Sequence, residues 1–196
     1  NGSPYERHKL RKRHNEVFKR CTENKIPIIY LNLVGGQDDQ VFDGGSFVMN
    51  SNGSIIAQLP QFEQKKFFFE FKKEEPFLIN KKLSDIKNDL SQDYRAISEG
   101  TKDYILKSGF NKVLIGLSGG IDSALVSTIA VDILGHENVE CVKLPSQYTS
   151  NLSIVDADEL VKNLNCSMKT IPISKIYNLI KETLFPPSLD QKENET

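Results

Sequence analysis

The sequence predicts an α/β protein in two parts, and three observations carry that reading. After Ser91, strand and helix patterns alternate regularly, which is the rhythm of a parallel sheet covered by helices. Before Lys72, short apolar runs are separated by turn signals and follow a single helix pattern. Between the two, Lys72 to Leu90 is charged, contains Pro76 and holds only scattered apolar residues, as a linker or a surface crossing segment does.

Residues 5–25 predict an amphipathic helix, because Leu10, Val17, Phe18 and Cys21 fall on one stripe. Arg7, Lys9, Arg11, Lys12, Arg13, Lys19 and Arg20 take the opposite face, which is either a solvated face or an anion-binding one. Pro27 ends the helix, and the run 28–34 is apolar enough for a buried strand, broken by Gly35-Gly36. Ser46 to Asn50 and Ser54 to Gln58 read as a hairpin around Ser51-Asn52-Gly53, whose Asn-Gly pair suits positive φ. Phe67 to Phe71, flanked by lysines, predicts one more strand with charged gatekeepers. In the second part a helix over 92–108 stops at Gly109, a residue suited to the left-handed position after a helix. A strand over 112–117 leads through a Gly-rich loop into a helix reaching Leu134. Strands over 139–144 and 168–173 then alternate with helices over 153–165 and 174–184, and the tail from Gln191 is polar.

Composition excludes several classes of function. A chain of 196 residues with 38% hydrophobic side chains can bury a core. Its 25 basic against 26 acidic residues give a formal charge of -1, so no global basic field exists to hold nucleic acid. No apolar run approaches the roughly 20 residues of a membrane span, and no signal-peptide pattern opens the chain. Cys21, Cys141 and Cys166 are widely spaced, without a CxxC pair, and His8, His14 and His136 lack metal-ligand spacing. Cys21 reads as a core thiol rather than a nucleophile, Cys141 and Cys166 read as structural, and a disulfide scaffold or zinc module is not expected. These features together predict a cytoplasmic protein.

The informative stretch is Gly116-Leu117-Ser118-Gly119-Gly120-Ile121-Asp122-Ser123, placed between a strand and a helix. Backbone N–H groups of such a loop can approach an anion, and the helix dipole adds partial positive charge. Gly119 and Gly120 leave room for phosphate oxygens, and the hydroxyls of Ser118 and Ser123 add donors. Asp122 would repel a naked phosphate, so it predicts a Mg²⁺ bridging carboxylate and phosphates; the plainer alternative makes Asp122 a cap and the glycines a turn. Neither GxGxxG nor GxxxxGK[ST] is present.

The string SGGIDS after a strand resembles the PP-loop of the ATP pyrophosphatases, among which NAD, GMP and asparagine synthetases and tRNA-modifying enzymes compete. Residues 94 to 156, with YRAISEGTKDYILKSGFNKVLIGLSGGIDSALVSTIAVDILG, LPSQYTS and DA, resemble the start of the NAD synthetase domain. NGSPYERHK and IPIIYLNLVGGQDDQVFDGGSFVMNSNGSIIAQLPQF resemble the end of the nitrilase-type glutaminase domain fused to glutamine-dependent NAD synthetases. The resemblance implies the end of a nitrilase-like αββα sandwich over 1–78, a linker over 79–90, and a partial adenine nucleotide α-hydrolase-like (PP-loop) domain over 91–196.

The activity it implies is ATP-driven amidation of deamido-NAD to NAD, giving AMP and pyrophosphate, with ammonia from glutamine. ATP and Mg²⁺ are the implied cofactors. Residues 116–123 are the implied ATP loop and Asp122 the metal ligand. Ser3 and Lys9 match the positions that hold glutamine; read without the resemblance, Ser3 is a helix cap and Lys9 a solvated cation. A homo-oligomer is implied for the full-length enzyme. In the family the glutaminase Glu, Lys and Cys lie upstream of NGSP, so no catalytic residue of that triad is expected in this sequence. Part of the deamido-NAD site is expected beyond Thr196, and the chain alone is expected to be inactive. Gln147 stands where the family usually has Arg, removing a cation expected near nucleotide. The competing reading from another class is a non-catalytic remnant that binds an anion or a partner without turnover. A tRNA-modifying relative would need a different N-terminal block and a basic face, and the sequence lacks both.

Overall fold

The computed structural model describes residues 1–72, 75–77, 83–84 and 90–184. The chain divides into two compact units, Asn1–Gly109 and Phe110–Thr196. Among the described residues no helix is long and apolar enough to cross a membrane.

The first unit opens with an extended segment rather than with helix. Tyr5 donates its main-chain N–H to Val41 at 2.6 Å, and helix α1 (Lys9–Asn24) begins only after His8, which sits at φ 67°. The buried stripe of α1 is Leu10, Arg13, Val17 and Cys21. Two expectations are corrected here: Phe18 is 48% exposed, and Arg13, assigned to the charged face, is buried. The helix ends at Asn24 with Lys25 in the left-handed region.

Three strands form an antiparallel sheet in the order β1-β4-β5: β1 (Ile28–Tyr30), β4 (Phe47–Met49) and β5 (Ile55–Gln58). Leu10, Val17 and Cys21 of α1 pack against Phe47 and Met49, with Tyr30 stacked on Phe47 at 5.0 Å. The strand expected over 28–34 therefore stops at Tyr30. Val34 instead starts a separate hairpin of β2 (Val34–Gln37) and β3 (Gln40–Asp43). Gly35 and Gly36 do not break the chain but lie within β2, because helix α2 (Leu90–Lys107) presses on that strand. A Cβ on Gly36 would come to 3.0 Å from Gly100 Cα, tighter than ordinary contact, so a side chain there would push strand and helix apart by a few tenths of an ångström. Gly36 donates its N–H to Asp103 Oδ2 at 2.7 Å and accepts from Lys107 Nζ at 2.6 Å. The predicted strand at Phe67 begins only at Glu70, in β6 (Glu70–Lys72), paired with β7 (Glu75–Phe77). Most of the linker expected over 79–90 lies outside the described residues.

The second unit carries the predicted alternation. Strands β8 (Val113–Gly116), β9 (Val139–Lys143) and β10 (Ser167–Thr170) are parallel, in the order β10-β9-β8. Helix α3 (Ile121–Leu134) connects β8 to β9, helix α4 (Asn151–Leu164) connects β9 to β10, and α5 (Ser174–Leu184) follows. Leu117, Ala130, Val139, Cys141, Ala157 and Val161 form the core between sheet and helices. Cys141 is fully buried 3.9 Å from Cys166, whose thiol is pushed up to about 11 by burial and by the Cys141 charge it would face. The Cys166 thiol is thus held neutral.

Candidate functional site

In the second unit, β8 ends at Gly116 and Leu117 turns inward, donating its N–H to the Val142 carbonyl at 2.8 Å. The chain then reverses through Ser118, Gly119 and Gly120 before α3 starts. Gly119 takes φ +80°, and a Cβ there would stand 2.2 Å from the Ser153 carbonyl oxygen. Both the conformation and the contact with the first turn of α4 require glycine at this position. Side-chain oxygens brace the turn: Gly120 donates its N–H to Ser118 Oγ at 3.1 Å, Ser118 its N–H to Ser123 Oγ at 3.3 Å, and Ser123 Oγ donates to the Gly120 carbonyl at 3.0 Å.

The amides of Ser118 and Gly120 are thereby used. Those of Gly119, Ile121, Asp122 and Ser123 have no acceptor among the described residues. Four unsatisfied N–H groups at a helix N-terminus form a ready anion site. Asp122, in the first turn of α3, is exposed and makes no hydrogen bond or ion pair among the described residues. It is not a cap: Gly120 occupies that position and no side chain caps α3. No group of three His, Cys, Asp or Glu fit for a metal occurs among the described residues. One free carboxylate beside an anion site nevertheless suits Mg²⁺, which is held by one or two carboxylates together with phosphate oxygens.

A cavity of about 240 Å³ lies beside the loop, at the C-terminal ends of β8 and β9. Leu117, Ser118, Lys143, Thr149 and Ser153 are among its walls. The ends of parallel strands are where open α/β sheets bind ligands. Thr149 and Ser153 escaped sequence reasoning as site residues, because only the fold carries the start of α4 to the loop. Ser150 caps α4 by accepting the Ser153 N–H at 3.1 Å. Gln147 is exposed, and the neighbouring Tyr148 phenol is held below its usual value by hydrogen bonds from Tyr177 and from Gln147.

In the first unit, Ser3 is not a helix cap, since α1 begins six residues later. Its main chain is held by Asn32, whose Oδ1 accepts the Ser3 N–H and whose Nδ2 donates to the Ser3 carbonyl, each at 2.9 Å. Arg13 Nε donates to Ser3 Oγ at 3.1 Å. Lys9 lies one turn before Arg13 on α1, 3.6 Å from Glu6. It lines a cavity of about 180 Å³ with Tyr5, His14, Gln61 and Gln92, which Ser3 does not line. Gln92 Oε1 is buried there without a hydrogen-bond partner among the described residues, an acceptor that calls for a donor. Tyr5 donates to Asp93 at 2.8 Å, and burial with that bond pushes its phenol up to about 12. Arg7 also binds Asp93 and holds that carboxyl below the usual range. Arg13 and Asn32 escaped sequence reasoning because the groups they bind lie on other segments of the chain, and Gln92 because only the fold carries α2 to Tyr5 and Lys9.

The NAD synthase family model matches residues 93–195. The glutamine-dependent NAD(+) synthetase of Rhodobacter capsulatus is 47% identical over 175 residues, covering 88% of this chain and 32% of that protein. The structure of glutamine-dependent NAD+ synthetase from Acinetobacter baumannii in complex with adenosine diphosphate is 38% identical. It covers 95% of this chain and 35% of that one, with a TM-score of 0.87. At 15% identity, the Cytophaga hutchinsonii glutamine-dependent NAD(+) synthetase shares the fold, with a TM-score of 0.76 over 93% of this chain. The chain spans about a third of the length of the curated relatives it matches. With the matched segment running from α2 through the Gly-rich loop and all three parallel strands, the chain belongs to the NAD synthase family.

Proposed function

We propose that the protein carrying this sequence is a glutamine-dependent NAD synthetase, a ligase that amidates deamido-NAD at the expense of ATP. Residues 1–78 belong to the glutaminase side, 91–196 to the synthetase side, and 79–90 lie between them. The reading includes a cytoplasmic location and a homo-oligomeric enzyme. It is carried by the four unsatisfied amides of Gly119, Ile121, Asp122 and Ser123 beside a free carboxylate at the ends of parallel strands.

A carboxylate resists attack by ammonia until one of its oxygens becomes a good leaving group, and transfer to the α-phosphorus of ATP accomplishes this. The atoms balance: the nicotinate carboxylate displaces pyrophosphate, and ammonia then displaces AMP to leave the amide. The loop's part is to hold the departing pyrophosphate. Its amides meet the phosphate oxygens with no reorganisation at the moment of reaction, since the Ser118 and Ser123 bonds have already set the turn. Asp122 would hold Mg²⁺, which neutralises charge developing on the phosphates. Ser3 and Lys9 take the glutamine whose hydrolysis supplies ammonia, a hydroxyl and a cation being suited to its charged end.

The test is Asp122→Asn in the protein carrying this sequence. The change is nearly isosteric at an exposed position, so the fold stays and Mg²⁺-ATP-dependent pyrophosphate exchange falls at least about tenfold. Exchange at near the parent rate, measured with deamido-NAD and without a nitrogen source, would overturn the role of Asp122.

A further inference from the structure

Ser3 is held with unusual completeness for a residue near the start of an extended segment. Its N–H is given to Asn32 Oδ1, and its carbonyl accepts from Asn32 Nδ2 and from Arg13 Nη2, all at 2.9 Å. Its Oγ accepts from Arg13 Nε at 3.1 Å, and the next carbonyl, of Pro4, accepts from Arg13 Nη2 at 3.1 Å. Among the described residues, only the hydroxyl hydrogen of Ser3 is left without an assignment. Arg13 is itself fixed by Asp43, in a two-pronged pair at 3.1 and 2.8 Å, and Asp43 accepts further from Gln61 at 2.5 Å. Asn32 is anchored through its own N–H to Ser46 Oγ at 3.0 Å.

The pair lies deep, with Arg13 6% and Asp43 1% exposed. Stability is a weak reason for it, because replacing a buried ion pair by well-packed apolar residues is often neutral or stabilising. What an apolar pair cannot do is grip two consecutive carbonyls and one hydroxyl oxygen of another segment. A guanidinium N–H on Oγ also settles which way the hydroxyl acts: its oxygen is already an acceptor, so its hydrogen points elsewhere as a donor.

We infer that Arg13, fixed by Asp43 and helped by Asn32, is a positioning residue that presents Ser3 as a hydrogen-bond donor to the carboxylate of an amino-acid ligand. The inference rests on the reading that Ser3 and Lys9 hold glutamine, and it deepens that reading. Lys9 stands one turn from Arg13 on α1, so one helix carries both the cation assigned to glutamine in that reading and the group that sets the hydroxyl.

The experiment measures glutamine-supported and ammonia-supported NAD formation in the protein carrying this sequence, for Ser3→Ala, Arg13→Lys and the double variant. Arg13→Lys keeps the charge and loses the fork, and the ratio of glutamine- to ammonia-supported turnover at low glutamine falls about tenfold, through KM for glutamine and not kcat. In the Ser3→Ala background the same change adds nothing, since Arg13 acts through Ser3. Additive effects in the double variant, or equal losses with both nitrogen sources, overturn the inference. If Ser3→Ala leaves KM for glutamine unchanged, the reading of Ser3 itself fails. Should Arg13→Lys not fold, Asn32→Ser is scored in the same way: it removes both side-chain bonds to the Ser3 main chain without adding charge, and an unchanged ratio overturns the inference.

Discussion

The two units place their candidate groups by opposite means. In Asn1–Gly109 the polar groups of interest are side chains held by other side chains: Ser3 by Arg13 and Asn32, Arg13 by Asp43, Asp43 by Gln61. In Phe110–Thr196 they are backbone amides exposed because a helix starts there, above a core of Leu117, Ala130, Val139 and Ala157. The first kind of site depends on particular side chains, each replaceable by one mutation. The second depends on backbone shape, so it tolerates most side-chain changes and fails where an added Cβ alters the path of the chain.

The largest effect should follow from breaking the first kind of site. Asp43→Ala leaves the Arg13 guanidinium buried without its counter-charge, and the first unit should lose about 3–5 kcal/mol. Amide hydrogen exchange resolves the two units, and the protection lost should fall in Asn1–Gly109 alone. Equal loss in both units would break the comparison.

A smaller loss is expected from Gly119→Ala, which forces a Cβ into the left-handed region and onto the Ser153 backbone. The cost should be about 2–3 kcal/mol in the second unit, with nucleotide affinity falling alongside. Thermal unfolding followed with and without ATP tests it. A variant that unfolds like the parent would show that the turn is held less tightly than its contacts with α4 require.

The smallest effect sharpens the contrast by pH. Burial against Phe47 lowers the pKa of His14, which hydrogen-bonds Gln58 at 2.8 Å. Its folded pKa is below the unfolded value, so the unfolded chain takes up the proton first as the solution is acidified. The first unit should therefore keep its full stability above about pH 6.5 and lose part of it as pH falls toward the folded pKa. Denaturant midpoints across that window should fall with pH for the parent and fall less for His14→Gln. Parallel curves for the two proteins would remove His14 as the cause.

Much of the second unit was legible beforehand because periodicity and local chemistry agree there. The strand over 112–117, the helix reaching Leu134 and the strand over 139–144 correspond to β8, α3 and β9, with parallel pairing. The first unit was harder because non-local contacts overrule its local pattern. Residues 5–8 have helix-compatible side chains but extend to pair with Val41, and Gly35-Gly36 reads as a break yet forms a strand against α2.

By itself, the sequence determined the alternation of elements after Ser91, the Gly-rich turn and the placement of Asp122 in the first turn of a helix, since these depend on residues within a few positions of one another. Only the tertiary structure decided that Arg13 leaves the charged face to bind Asp43 and Ser3, and that the Ser153 backbone closes on Gly119. Those partners are 30, 10 and 34 residues away, respectively. A side chain's spacing along its own helix carries no record of a counter-charge or a backbone that folding brings from such a distance.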